Sequence, residues 1–134
     1  MTDIFEKIAE IAAREAGVPA VTAPAAASGE KIIWRVRLSS YDGEWETFDM
    51  TMRFVSRTVK DAYARAEAVS RYLCAPGDAR SAAGLSGGAN ISIKRIASES
   101  SGYISRTGHF YVIAKFRVKR RLGATLREGI GTIY

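Results

Sequence analysis

The hydrophobic pattern of this chain changes period once in a way that organises everything around it. Phe48, Met50, Met52 and Phe54 alternate with Asp49, Thr51 and Arg53, so one face is apolar and the other polar. That is the period of a half-buried strand. Ser56, Arg57 and Thr58 interrupt it, and from Val59 the apolar positions become Ala62, Ala66, Val69 and Leu73, a single helical stripe. Thr58 has the chemistry of an N-cap, with Asp61 at the capping-box position. A strand therefore runs into a helix whose small alanines let it lie close on a sheet. The stretch offers no catalytic group and reads as scaffold.

The flanking segments extend the pattern. Ile4, Ile8, Ile11, Ala12 and Ala16 predict an amphipathic helix over 3–16, opened by Asp3 with Glu6 and closed by Gly17 and Pro19. Residues 18–29, rich in Pro and Ala, predict a flexible arm. Ile32, Trp34, Val36 and Leu38 alternate with Arg35 and Arg37, and Asp42-Gly43 signals a reversal. Strands 31–38 and 45–57 should form an antiparallel hairpin with Tyr41 and Trp45 near its tip, Trp45 folding back onto the sheet. The glycine-rich segment 75–89 predicts a loop, and 90–98 a strand with a register change near Lys94-Arg95, where Ile96 falls out of phase. A polar turn over 99–108 leads to a strand in which Phe110, Val112, Ala114, Phe116 and Val118 alternate with Lys115, Arg117 and Lys119. The tail 122–134 has little pattern and is expected to be flexible. The expected fold is a single α+β domain over 1–134: a mainly antiparallel sheet of about four strands, two helices on one face, order α-β-β-α-β-β.

Composition adds a functional constraint. The chain has 134 residues, 47% hydrophobic and 25% charged, with a formal charge of +6. The charge is uneven: Arg106, Lys115, Arg117, Lys119, Arg120, Arg121 and Arg127 follow one another without an intervening acid. This points to a polyanion or an acidic protein partner, the alternative being solubility plus neutralisation by a neighbouring subunit. Arg35 and Arg37 share one strand face and Lys115, Arg117 and Lys119 another. In one sheet they would make a basic surface able to meet DNA phosphates without reading bases.

Chemistry of other kinds finds little footing. A lone cysteine, Cys74, excludes an internal disulfide framework and reads as a small core residue at a helix end. His109 stands alone and with Cys74 cannot supply a usual zinc ligand set. Gly84-Leu85-Ser86-Gly87-Gly88 matches G-x-S-x-G, but the strand-turn-helix context of a nucleophile elbow is missing, and Glu99 and His109 are not placed beside Ser86 by the pattern. No cofactor motif is present, and no apolar run reaches the ~20 residues of a membrane span. Acidic Asp3, Glu6 and Glu10 argue against a secretion signal, so synthesis in the cytoplasm is expected. The expectation is a protein that is not an enzyme.

Three features resemble the tail terminator (tail completion) proteins of long-tailed bacteriophages and related particles. They are the short N-terminal helix with its loop, the strand-to-helix stretch FVSRTVKDAYARAEAVSRYL, and the closing strands ISIKRIASESSGYISRTGHFYVIAKFRVKRR. The resemblance covers nearly the whole chain and rests on size and hydrophobicity. It implies a homo-oligomeric ring, usually a hexamer, that caps the tail tube, ends its elongation and offers a head-joining surface. Implied partners are further copies of the chain, the tail tube protein and head–tail connector proteins, in the virion tail. Ring closure requires a heterologous interface, for which exposed sheet edges or the N-terminal arm are candidates. Tyr41 and Trp45 are candidates for a tip facing the tube or a neighbour. Arg35, Arg37, Lys115, Arg117 and Lys119 are candidates for a basic inner face, meeting either subunits or DNA in a channel. Other readings are a connector or tube component, or a small basic nucleic-acid-binding domain.

Overall fold

In the computed structural model, which describes residues 4–23, 29–74 and 91–121 (backbone only for 97–99), the strand-to-helix stretch lies at the centre of the fold. The elements are α1 (Ile4–Ala16), β1 (Ala20–Val21), β2 (Lys31–Tyr41), β3 (Trp45–Ser56), α2 (Val59–Leu73), β4 (Ile91–Ile104) and β5 (His109–Arg121). The strands form one sheet of order β1-β2-β3-β5-β4. All pairings are antiparallel except that of β1 with β2. The class is α+β as expected, and both long hairpins form.

Among the described residues the strand count is corrected from about four to five, and the order gains a strand after α1. Gly17, at φ 72°, caps α1 with its N–H bonded to the Ala13 carbonyl at 2.8 Å. The chain then turns back along β2. Val18 enters the core, the Pro19 carbonyl accepts the Ile32 N–H at 2.8 Å, and Ala20 and Val21 pair in parallel with Ile32 and Ile33. Pro19 lacks a donor and is tolerated here because it lies at the sheet's edge. The first part of the segment predicted as an arm is thus built into the sheet; residues 24–28 lie outside the described residues. So do residues 75–90, where the loop 75–89 with Ser86 is predicted, and residues 122–134, the predicted tail.

Two further boundaries differ. β4 runs on to Ile104 instead of ending near Ser98, and the reversal is a tight turn in which the Gly108 N–H bonds to the Ile104 carbonyl at 2.9 Å. Its register shifts between Ile96 and Ser100, a little beyond Lys94-Arg95. Cys74 is exposed at the C-cap of α2 and is not a core residue.

The two helices cover one face of the sheet. α2 buries Ala62, Ala66, Val69 and Leu73, and α1 buries Phe5, Ile8, Ala9, Ile11 and Ala12. They meet Met50, Met52 and Phe54 of β3 and Val112, Ala114, Phe116 and Val118 of β5, all on the predicted apolar faces. Each large side chain buried here contributes roughly 1.5–3 kcal/mol. Thr58 caps α2 as the sequence predicts, its Oγ1 accepting the Asp61 N–H at 3.1 Å. With the apolar period satisfied on one side, the polar positions of β2, β3 and β5 are left on the other.

Candidate functional site

The face of the sheet left uncovered among the described residues carries the candidate residues other than Tyr41. β3 lies between β2 and β5, so the two basic strands flank it in one sheet. Register sets their rows. Arg35 stands across from Thr51, which stands across from Lys115. In the next row Arg37 faces Asp49, which faces Arg117, and Lys94 of β4 extends that row. Lys119 pairs with Thr47 and Ser92. Arg35, Arg37, Lys115, Arg117 and Lys119 are all exposed. The structure therefore brings together the five basic residues proposed from sequence.

Asp49 sits in the middle of this field. Its Oδ2 lies 3.8 Å from Arg37 Nη2 and its Oδ1 3.5 Å from Arg117 Nε. Oδ1 is buried and accepts no hydrogen bond from the described residues. The carboxylate is held by charge more than by directed bonds, because both separations are longer than an ordinary hydrogen bond. Farther along, Arg53 stacks over the Tyr111 ring at 4.8 Å. Tyr111 in turn lies across Gly102: a Cβ there would come within 2.5 Å of its Cζ. Glycine is required at this point because β5's ring occupies the space above β4.

The hairpin tip divides the two aromatic candidates. Asp42 Oδ1 accepts the N–H groups of Glu44 at 2.9 Å and Trp45 at 2.7 Å, and Gly43 takes φ 95°. These donors hold the Asp42 carboxyl below the usual carboxylate range. A register shift between Leu38 and Ser40 puts Tyr41 opposite Glu46, in phase with the helix-side row that includes Arg120. Tyr41 is 55% exposed there. Trp45 lies on the open side, with the Arg121 guanidinium 5.9 Å from its ring, and lines a cleft of 410 Å³ with Ser92, Lys94, Arg117 and Lys119. Trp45 thus folds back onto the sheet as expected and joins the basic surface, whereas Tyr41 does not. His109 opens β5 opposite Ile104, away from the basic rows.

Sequence reasoning did not single out Asp49, Arg53 or Lys94 as site residues. The alternation around β3 already placed Asp49 and Arg53 on the polar face. Only the pairing of β3 with β5 shows that Asp49 lies between two arginines, and only the β4 register brings in Lys94.

No protein-family model matches the chain, and no curated protein matches it. Chains of solved structures do share its fold. One belongs to the structure described as "Virion of native gene transfer agent (GTA) particle". The similarity has a TM-score of 0.55 at 12% sequence identity and covers 88% of this chain and 91% of that one. At that identity the likeness is one of architecture.

Proposed function

We propose that this chain is a structural protein of a phage-like virion particle and, within it, a tail terminator. It forms a homo-oligomeric ring, a hexamer, that caps the tail tube, stops its elongation and offers a surface for head joining. The observation that carries this reading is the nearly end-to-end likeness in fold to a chain of a gene transfer agent virion. The sequence resemblance, which rests on different features, points the same way. The reading assigns no catalytic role to the chain. Its partners are other copies of itself, the tail tube protein and head–tail connector proteins, and its place is the virion tail, after synthesis in the bacterial cytoplasm.

The fold suits a ring for a physical reason. Among the described residues, β4 ends one side of the sheet, and on the other side β1 pairs only with Ile32 and Ile33, leaving the rest of that edge of β2 without a neighbouring strand. Two unlike edges on opposite sides of one sheet favour a head-to-tail interface, which closes when the rotation per subunit permits. Leu38 at 54% and Tyr41 at 55% exposure lie at one end of β2, and Tyr103 at 56% lies on β4. These apolar groups would gain most from burial between copies.

The test is removal of the chain from cells that produce the particles. Tubes of irregular, extended length without joined heads are expected. Tubes of normal length joined to heads would exclude the terminator role.

A further inference from the structure

The open sheet face has a regular form. β2 and β5 lie on either side of β3, so their outward side chains stand about 9.6 Å apart across the sheet and repeat about every 6.7 Å along each strand. Arg35 and Arg37 form one basic rail, and Lys115, Arg117 and Lys119 the other. Between the rails, β3 presents the short side chains Thr51 and Thr47, with Asp49 between them. Arg35, Arg37 and Lys115 overhang Asp49 and Thr51 around a groove of 280 Å³. Arg35 and Lys115 have no ion-pair partner among the described residues.

We propose that this trough binds the phosphodiester backbone of nucleic acid without regard to sequence, and that Asp49 limits its affinity. The inference rests on the surface of the single chain and not on ring formation.

Two features favour nucleic acid over an acidic protein. The middle of the trough is lined by cations, a hydroxyl and one carboxylate, with Trp45 at one end and Ile33 and Ile113 at the other, whereas the large exposed apolar groups Leu38, Tyr41 and Tyr103 lie outside it. Protein interfaces place aromatic and apolar anchors at their centre. Phosphates need only cations and hydrogen-bond donors. The second feature is repetition: cations recur at even spacing in two parallel lines, which suits a repeating anion better than a single acidic patch. Among the described residues no element projects from the flat face to enter a groove, so base reading is not expected.

Asp49 sets the strength. Its carboxylate draws the guanidinium groups of Arg37 and Arg117 toward the floor and cancels part of their field. A surface tuned in this way would hold a backbone weakly and let it slide.

The test is fluorescence anisotropy of the full chain with a labelled short duplex and a labelled single strand, at 50 and 200 mM salt. With four to five phosphates neutralised, log K should fall against log salt with a slope of about −4 on duplex and about −3 on single strand. For duplex this is a loss of about 250-fold across that range. Reversing one charge on each rail, R35E with K115E, should abolish binding. Asp49→Asn should tighten binding about tenfold at 50 mM, the counterion-release gain of roughly one more phosphate. Misfolding cannot produce that gain, so this variant keeps the test independent of stability. Absence of binding at 50 mM, an Asp49→Asn variant no tighter than the parent, or tighter binding to polyglutamate than to DNA would each overturn the inference. A chain that stays monomeric yet binds in this manner would uphold it while removing the ring.

Discussion

Replacing Arg65 by Met tests how the helix layer is fixed to the sheet. Arg65 Nη1 donates to Ser56 Oγ at 2.7 Å and to Glu30 Oε2 at 2.9 Å, and Nη2 reaches Glu30 Oε1 at 3.4 Å. Glu30 also accepts the Arg57 N–H at 2.9 Å. One guanidinium thus ties the entry to β2, the end of β3 and the first turns of α2. Ser56 is fully buried, and the Arg65 and Glu30 side chains are 23% and 24% exposed. Met keeps much of the stem's packing and removes the charge. The Ser56 hydroxyl then loses its donor inside the core, at a cost of roughly 1–3 kcal/mol. The lost pair with Glu30 adds about 1 kcal/mol after allowance for its partial exposure. The expected total is about 3 kcal/mol, or a Tm lower by roughly 10 °C. Guanidinium melts at fixed protein concentration would measure it, since the proposed assembly would add concentration-dependent stability.

The same clamp carries a pH signature. Arg65, and next the Arg57 N–H, hold the Glu30 carboxyl below its ordinary value of 4.5. Because the folded value is depressed, the stabilisation is complete above the unfolded value and is lost as pH falls through the folded one. The stability gap between the parent and Glu30→Gln should therefore be constant near neutrality and close below pH 4.5. A gap that does not change with pH, or an Arg65→Met variant within about 0.5 kcal/mol of the parent, within the range of surface substitutions, would refute the reasoning.

Gly102→Ala should destabilise the fold by about 1–3 kcal/mol in denaturant melts, because the new Cβ would displace Tyr111 and its contact with Arg53. In a Tyr111→Ala background most of that cost should vanish. Asp42→Ala should speed amide exchange at Glu44 and Trp45, whose N–H groups it holds, while leaving exchange at Met52 in the centre of β3 unchanged.

Period-two alternation made β2, β3 and β5 legible, because each has one face in water and the other under helices. The sharp change of period at Val59 made α2 legible for the same reason. Ala20–Val21 was not, since two residues carry no period and their place depends on the αL turn at Gly17. β4 was readable only up to the point where its register shifts, between Ile96 and Ser100, where alternation breaks although pairing resumes. Tyr41 failed likewise: the shift between Leu38 and Ser40 moves it to the other side of the hairpin from Trp45. The basic residues were found because outward positions of an alternating strand can be read one strand at a time. Their union into one trough, with Asp49 at its centre, depends on β3 pairing with β5 across the intervening α2 and β4, a contact local pattern does not encode.

Ring formation is most directly tested by the mass of the purified chain in solution, measured by light scattering across concentration and moderate salt. The account predicts a closed species near six times the 14.6 kDa chain mass. A species of 14.6 kDa under all of those conditions would contradict it.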